Sequence, residues 1–198
     1  MAAVKIAIAY AIFFLVGGIP FGPLVARWKK VDLSKVGSGN IGAANVYRAL
    51  GMRYAFLVFL LDGLKGVLPS LLGRFLFGPG YLAGFSGLAA VLGHVFSPFL
   101  KFRGGKGVAT GFGAMLVLAP LPSLITLALW GAMVALTRIV SLASLVAAAA
   151  LPGLIFIFEK TGWVFYNSLI LVFLVVLSHY ENILRLLAGA EEPIKKIE

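Results

Sequence analysis

Residues 141–158 read SLASLVAAAALPGLIFIF, eighteen consecutive residues without a charged side chain. A transmembrane helix needs about 20 predominantly apolar residues, because the hydrocarbon core of a bilayer is about 30 Å thick. Further apolar segments follow one another along most of the chain. The seven segments are Val4–Ala26, Tyr54–Phe77, Tyr81–Leu100, Val108–Ala119, Ser123–Thr137, Ser141–Phe158 and Trp163–Leu184. The sequence therefore predicts an all-α, polytopic bundle of seven transmembrane spans.

The amino-acid composition supports a membrane protein and excludes a soluble globular domain. Hydrophobic residues make up 61% of the 198 residues and charged residues 12%, with a mean hydropathy of +1.04. Soluble domains carry about 25% charged residues. We therefore predict one integral-membrane domain over residues 1–198. The prolines Pro120 and Pro122 separate two short apolar segments, and five spans remain if that pair is re-entrant.

The lysines and arginines are distributed unequally over the two sides of the predicted bundle. Seven spans place thirteen of them on one side and three on the other, with Lys65 inside a span. Cytoplasmic loops carry the excess of positive charge, so we predict the N-terminus outside and the C-terminus in the cytoplasm. The net charge of +10 suits anionic lipid headgroups or anionic substrates. Nucleic acid is not expected as a partner, because the basic residues lie in short loops between spans.

Two basic, glycine-rich stretches lie on the predicted cytoplasmic side. Residues 37–48 read GSGNIGAANVYR, and residues 101–107 read KFRGGKG. Glycine exposes backbone N–H groups and lysine or arginine adds charge, a combination that binds phosphate-like anions. The first stretch matches G-x-G-x-x-G but follows no β-strand, which argues against a dinucleotide site. The second stretch lacks the first glycine and the Ser or Thr of a Walker A loop.

We predict that both stretches bind substrate phosphates through backbone N–H groups and through polar or cationic side chains. Asn45 and Arg48 lie three residues apart, so they share one face of the helix that the first stretch opens. Lys101 and Arg103 are either membrane anchors or ligands, whereas Lys106 is expected to bind. The predicted phosphate-binding residues are Ser38, Gly39, Asn40, Gly42, Asn45, Arg48, Lys101, Arg103, Gly104, Gly105 and Lys106.

Polar residues also interrupt the apolar segments themselves. Asp62 and Lys65 lie three residues apart within one predicted span, where charges are usually paired. The sequence leaves open whether this pair is structural or functional. His179 and Asn182 share a helical face at the end that carries the glycine-rich stretches, and Ser141 begins a neighbouring span. These last three residues are the candidate catalytic groups.

The residue types that are scarce narrow the chemistry. The chain has no cysteine and only two histidines, so thiolate chemistry is excluded and neither a metal site nor a cofactor is predicted. The charged segment 191–198 is expected to be a solvated, frayed tail. The sequence does not indicate an oligomeric state or an acyl-chain preference.

The motifs, and their order along the chain, resemble those of a family of bacterial enzymes, the PlsY family. Its members are membrane-integral glycerol-3-phosphate acyltransferases that use acyl phosphate. Five segments, which together span nearly the whole chain, carry the resemblance. They are GSGNIG at 37–42 with Asn45 and Arg48, DGLKG at 62–66, GHVFSPFLKFRGGKGVAT at 93–110, RIVSLAS at 138–144 and HYENI at 179–183. Ala44 departs from the pattern, in which Thr is expected.

The resemblance implies that a fatty acyl group passes from acyl phosphate to the sn-1 hydroxyl of glycerol 3-phosphate. The products would be lysophosphatidic acid and phosphate, in the first acylation of bacterial phospholipid synthesis. It also implies a seven-span protein of the inner membrane whose active site faces the cytoplasm. Acyl phosphate is a mixed anhydride with a good leaving group, so no covalent enzyme intermediate is expected. The hydroxyl proton goes either to His179 or to the substrate phosphate, and the sequence does not decide between them.

Two other functional classes fit parts of the sequence. An anion transporter would also cluster Arg and Lys, but its binding groups would lie near the bilayer midplane, where only Asp62 and Lys65 are found. A lipid-binding scaffold would use the basic loops but would not need Ser141, His179 and Asn182. An acyltransferase uses both sets of residues.

Overall fold

The computed structural model describes residues 2–159 and 162–195, and the regular secondary structure within these ranges is helical. Two short 3₁₀ turns, Leu33–Lys35 and Pro98–Leu100, lie in the loops. The ten α-helices are α1 (Ala2–Gly18), α2 (Phe21–Trp28), α3 (Ala43–Leu50), α4 (Met52–Phe77), α5 (Tyr81–Val95), α6 (Val108–Leu118), α7 (Pro120–Thr137), α8 (Val140–Glu159), α9 (Trp163–Ser178) and α10 (Tyr180–Leu187).

Each predicted span coincides with one or two of these helices, which confirms the all-α prediction. Within the described residues, five segments are long and apolar enough to cross a membrane. They are Ala2–Trp28, Met52–Phe77, Tyr81–Leu100, Pro120–Thr137 and Val140–Phe158. Helices α9 and α10 form a sixth if the pair, which bends by 65°, is counted as one span. Helix α6 has eleven residues and rises only about 16 Å, so the seven-span count stays a prediction.

The first predicted span is broken between α1 and α2, where Pro20 supplies no backbone N–H. The break leaves carbonyl groups of the last turn of α1 without helical partners. Ser97 Oγ donates to Gly18 O at 2.6 Å, and Lys65 Nζ donates to Ile19 O at 2.8 Å. Side chains from later parts of the chain therefore complete the hydrogen bonding of the break.

Asp62 and Lys65 form the predicted ion pair, with a distance of 2.8 Å between Lys65 Nζ and Asp62 Oδ1. Both side chains are buried, and Lys65 Nζ also lies 3.0 Å from His94 Nδ1. An ammonium group only donates, so His94 Nδ1 is the acceptor. The cluster joins α4, α5 and the α1–α2 break, and so fixes the end of α5 from which residues 101–107 follow.

Helix α3 is short and amphipathic, and its apolar face anchors it to the bundle. Val46 is fully buried in a cluster with Val25 of α2, with Leu33 of the first 3₁₀ turn and with Val58 of α4. This packing presents the opposite side of α3 to the space between α4, α6 and α8. We call the end of the bundle that carries α3, residues 101–107 and α10 the polar end.

Candidate active site

One cavity of about 660 Å³ opens at the polar end and extends between the helices. Its polar lining comes largely from both glycine-rich stretches, from the three candidate catalytic residues and from the C-terminal segment, and Asp62 and His94 of the buried cluster line it too. These lining residues include Ser38, Asn40, Gly42, Asn45, Arg48, Lys106, Ser141, His179, Asn182 and Glu191. Ser38 and Asn182, two predicted site residues that lie 144 positions apart in the sequence, therefore line the same cavity. Glu191 lines it too, although the sequence analysis does not predict this.

The first glycine-rich stretch is held in shape by the buried side chain of Asn45. Asn45 Nδ2 donates to Leu33 O at 3.0 Å, and Asn45 Oδ1 accepts from Ser38 N at 3.2 Å. Both ends of this amide are thus occupied within the protein. A Cβ built on Gly37, which has a φ of +51°, would lie 2.6 Å from Arg48 Cδ. The stretch therefore lies directly against the Arg48 side chain.

Two backbone N–H groups of this stretch that were predicted to bind phosphate donate within the protein instead. Gly42 N donates to Asn40 Oδ1 at 3.0 Å, and Gly39 N donates to Val36 O at 2.9 Å. These bonds form the turn that leads into α3, so they shape the loop. Of the predicted ligands in this stretch, Ser38 and Arg48 line the cavity. Their side chains make none of these internal hydrogen bonds.

The second stretch differs from its prediction in the same way. Gly104 N donates to Val95 O and Gly105 N donates to His94 O, both at 3.0 Å, so neither N–H group points to a phosphate. The two glycines instead dock the loop onto the end of α5. Lys101 and Arg103 are exposed and lie outside the cavity, whereas Lys106 lines it, so the structure favours the anchor interpretation for the first two.

Lys106 is connected to a chain of hydrogen bonds that the sequence did not predict. Lys106 Nζ donates to Asn182 Oδ1 at 2.5 Å, and Asn182 Nδ2 donates to Glu191 Oε1 at 2.5 Å. Ser141 Oγ donates to the same Glu191 oxygen at 2.7 Å. Arg185 Nε donates to Glu191 Oε2, also at 2.7 Å. Glu191 thereby fixes the orientation of the Asn182 amide.

The position of Glu191 corrects the prediction of a frayed tail. Glu191 lines the cavity, and Ile194 N donates to Arg138 O at 2.6 Å, so the segment docks at the α7–α8 turn. Residues 196–198 lie outside the described residues. A signal was present in the sequence, since Glu191 is one of few acidic residues at an end of the bundle that is rich in lysine and arginine, and it lies six positions after Arg185.

The titratable groups at the polar end are shifted in ways that follow from their surroundings. The pKa of Lys106 is lowered to about 8, chiefly by burial; Glu191 opposes this shift, and Arg185 and Arg48 contribute to it. For Glu191, partial burial acts to raise the pKa, but hydrogen bonds from Ser141, Arg185 and Asn182 outweigh it and lower the pKa. Lys106 thus changes charge at moderately alkaline pH, while Glu191 stays ionised.

His179 lies at the corner between α9 and α10, three residues before Asn182. His179 Nδ1 is 2.8 Å from Val175 O. A carbonyl oxygen only accepts, so Nδ1 carries the hydrogen and Nε2 has the free lone pair when the ring is neutral. The buried ring is therefore oriented by the backbone of α9, and it presents a nitrogen that can accept a proton or a hydrogen bond.

Below these groups the cavity becomes apolar. Phe59 and Phe112 stack with their ring centroids 6.2 Å apart, and Trp130 Nε1 donates to Ser144 Oγ at 3.1 Å. Aliphatic side chains of α6, α8 and α9 complete the lining: Met115, Leu151, Leu171 and Val175. A cavity with a cationic entrance and an apolar interior suits an amphiphile with an anionic head. Within residues 2–159 and 162–195, no three His, Cys, Asp or Glu side chains converge as metal ligands.

The sequence profile of a family described as glycerol-3-phosphate acyltransferase matches residues 7–189. A glycerol-3-phosphate acyltransferase of Geotalea daltonii is 46% identical over 183 residues, which cover 92% of this chain and 94% of that protein. One of Aquifex aeolicus is 42% identical over 179 residues, which cover 90% and 93%.

Two crystal structures of PlsY, an integral membrane glycerol 3-phosphate acyltransferase, are similar to this chain throughout. Its glycerol 3-phosphate form has a TM-score of 0.91 and 40% identity, with 96% of each chain covered. Its lysophosphatidic acid form has a TM-score of 0.89 and 39% identity, with 96% of this chain and 95% of that chain covered. With this agreement in sequence, fold and cavity, the chain belongs to the glycerol-3-phosphate acyltransferase (PlsY) family of integral membrane proteins.

Proposed function

We propose that the protein transfers a fatty acyl group from acyl phosphate to the sn-1 hydroxyl of glycerol 3-phosphate, yielding lysophosphatidic acid and phosphate. The observation that carries the proposal is one continuous cavity, which has Arg48 and Lys106 at one end and a mainly apolar interior. Both substrates carry a phosphate, and the donor also carries a hydrocarbon tail. The glycerol 3-phosphate and lysophosphatidic acid forms of PlsY support the acceptor and the product.

In this reaction the acceptor hydroxyl oxygen attacks the acyl carbon directly. A new carbon–oxygen bond forms, the bond between the acyl carbon and the phosphate oxygen breaks, and phosphate leaves with the electron pair. Catalysis rests on orientation and on stabilisation of the developing negative charge by Lys106 and Arg48. The hydroxyl proton passes either to His179 Nε2 or to a substrate phosphate. Asn182, held by Lys106 and Glu191, is proposed to hydrogen-bond the acceptor.

No covalent enzyme intermediate is proposed. The chain has no cysteine, and the Ser141 hydroxyl donates to Glu191. Because the pKa of Glu191 is lowered, its carboxylate is a weak base and does not activate that serine. From the sequence, Ser141 is a candidate for orienting the glycerol hydroxyl. Its hydrogen bond to Glu191 makes it better placed to anchor the C-terminal segment.

The proposal is tested with purified protein, labelled glycerol 3-phosphate and either acyl phosphate or acyl-CoA. We expect lysophosphatidic acid and inorganic phosphate in equal amounts from acyl phosphate, and no product from acyl-CoA. Incubation with labelled acyl phosphate alone should leave no label on the denatured protein. Turnover with acyl-CoA only would overturn the donor assignment, and a labelled protein would overturn the direct transfer.

We further propose that the single domain crosses the bacterial inner membrane seven times, with α6 as a short crossing. The N-terminus would lie outside, and the polar end would face the cytoplasm. The uneven distribution of Lys and Arg supports this orientation. Glycerol 3-phosphate is charged and does not cross a bilayer readily, which also favours a cytoplasmic site.

Cysteine labelling should reveal this orientation. Lys35 and Tyr81 are both exposed, and they lie at opposite ends of the bundle. The variant Lys35→Cys should react with a membrane-impermeant thiol reagent only when the cytoplasmic side is accessible. The variant Tyr81→Cys should react from outside in intact cells. Because the chain has no native cysteine, the unsubstituted protein is a complete control, and the reverse pattern would invert the topology.

The pKa of Lys106 predicts how activity depends on pH. The ammonium is charged below about pH 8 and neutral above it, so the kcat/KM for glycerol 3-phosphate should fall as pH rises through about 8. In Lys106→Arg the guanidinium stays charged, and this alkaline limb should disappear whatever the absolute rate. Steady-state kinetics between neutral and alkaline pH measure both profiles. An unchanged limb in Lys106→Arg would assign it to another group.

A further inference from the structure

The apolar part of the cavity, which we call the chamber, is bordered by buried side chains from three helices. Met115 of α6, Leu151 of α8 and Leu171 of α9 all line the cavity there. The same three side chains are buried and belong to the main hydrophobic cluster of the protein. A Cβ built on Gly111 would lie 2.6 Å from Leu171 Cδ1, so α6 and α9 pack closely at this level. We call these three side chains the floor, and they belong both to the cavity lining and to the packed core.

The distance from the polar end to the floor can be read along three helices. Along α6, seven residues separate Val108 from Met115, and along α9, eight separate His179 from Leu171. Along α8, ten residues separate Ser141 from Leu151. At 1.5 Å per residue these segments rise about 10–15 Å. Helices α6 and α8 begin at the polar end and α9 ends there, so the three floor side chains lie at a limited distance from the polar groups.

We propose that the floor formed by Met115, Leu151 and Leu171 sets the upper limit on the length of the acyl chain that the enzyme transfers. The proposal rests on the proposed function, since it assigns the chamber to the acyl tail of the donor. The reacting carbonyl is fixed at the polar end by Arg48 and Lys106. A tail that is longer than the chamber must therefore either bend or pull the carbonyl away from the acceptor hydroxyl.

The proposal predicts a characteristic dependence on chain length. Each methylene that enters an apolar site contributes about 0.8 kcal/mol, so kcat/KM should rise about fourfold per methylene while the chamber is being filled. Once the tail reaches the floor, the increase should stop or reverse. A bilayer that received the tail instead would show no break at a fixed length.

Two substitutions should move this limit in opposite directions. Leu151→Ala lowers the floor, whereas Ala148→Leu fills the chamber one turn nearer to the polar end, where Ala148 lines the cavity. A leucine has three more carbons than an alanine, so each change should shift the preferred chain by about two methylenes. Neither residue touches the groups assigned to the phosphates or to proton transfer.

The chain offers a matched control for each variant. Ala149 is exposed on the outer surface of α8, and Leu124 is exposed on α7. Ala149→Leu and Leu124→Ala make the same chemical changes away from the chamber, so both should keep the profile of the unsubstituted enzyme.

The measurement is kcat/KM over a series of saturated acyl phosphates that differ by two carbons, for the four variants and the unsubstituted enzyme. If Leu151→Ala does not fold, Ala148→Leu decides alone, because it removes nothing from the core. An unshifted profile, or an equal loss at every chain length, would overturn the role of the floor. Failure of the donor assignment looks different: the unsubstituted enzyme would not turn over any acyl phosphate, and the same series of acyl-CoA would then test the floor.

Discussion

Lys106→Ala should lower the kcat/KM for glycerol 3-phosphate at least about tenfold, without unfolding the protein. A charge-assisted hydrogen bond to a phosphate contributes about 1.5–3 kcal/mol, which corresponds to about tenfold to more than a hundredfold in rate. The substitution also leaves Asn182 Oδ1 without the ammonium group that it accepts from. Arg48→Ala should cause a loss of the same order. Steady-state kinetics and thermal unfolding in detergent measure activity and folding separately.

Arg53 provides the matched control, since it is an exposed cation at the start of α4 outside the cavity lining. Arg53→Ala should keep nearly normal turnover. Near-normal turnover in Lys106→Ala or Arg48→Ala would remove that residue from the site. The double variant adds information about the two phosphates. Losses that add indicate independent contacts, whereas a double variant no worse than the single ones indicates that both cations bind one phosphate.

Gly104→Ala should destabilise the folded protein by more than about 3 kcal/mol, because the added methyl group meets rigid backbone. Its Cβ would lie 2.0 Å from His94 O and 2.6 Å from Val95 O, and neither atom can move without disturbing the end of α5. Activity should be lost together with the fold. The phosphate-binding role that the sequence analysis assigns to Gly104 would instead place the damage in substrate binding. Thermal unfolding in detergent distinguishes the two causes.

Two other glycines calibrate this measurement. A Cβ on Gly131 in α7 meets nothing within 4 Å, so Gly131→Ala should be neutral or stabilising by up to about 1 kcal/mol. Gly39 has a φ of +67° but is not crowded, since the nearest atom to its Cβ is Ser34 O at 3.4 Å. Gly39→Ala should therefore cost only about 1–2 kcal/mol of backbone strain. If Gly104→Ala unfolded at the temperature of Gly131→Ala, the docking role of Gly104 would be refuted.

The sequence predicts the helices well because hydropathy over twenty residues is a local property. The break before Pro20 lies inside an apolar segment that is long enough for a complete span, so hydropathy alone does not locate it. Helix α6 is apolar but short, and its crossing depends on how the bilayer meets the bundle. The positions of the long apolar helices are therefore predictable from the sequence, while the break within the first segment and the number of crossings are not.

The candidate site also has some residues that are predictable from the sequence and others that are not. Arg48, Lys106, His179 and Asn182 carry chemistry that a sequence motif displays, and all four line the cavity. Glu191 was missed because its partners Ser141 and Asn182 are fixed by tertiary packing, which composition does not reveal. The N–H groups of Gly104 and Gly105 were assigned to substrate because glycine looks the same whether it approaches a ligand or the protein's own backbone.

The break between α1 and α2 has a consequence for how the protein is made. The carbonyl of Gly18 emerges from the ribosome early, while its donor Ser97 follows 79 residues later. Ile19 O accepts from the nearby Phe21 N and gains Lys65 Nζ 46 residues later. An unpaired carbonyl in hydrocarbon costs several kcal/mol. The nascent first segment must therefore keep this break in contact with water, lipid headgroups or the insertion machinery until α4 and α5 arrive. The hydrogen bonding of the break is thus completed late in biosynthesis, by a serine that follows α5.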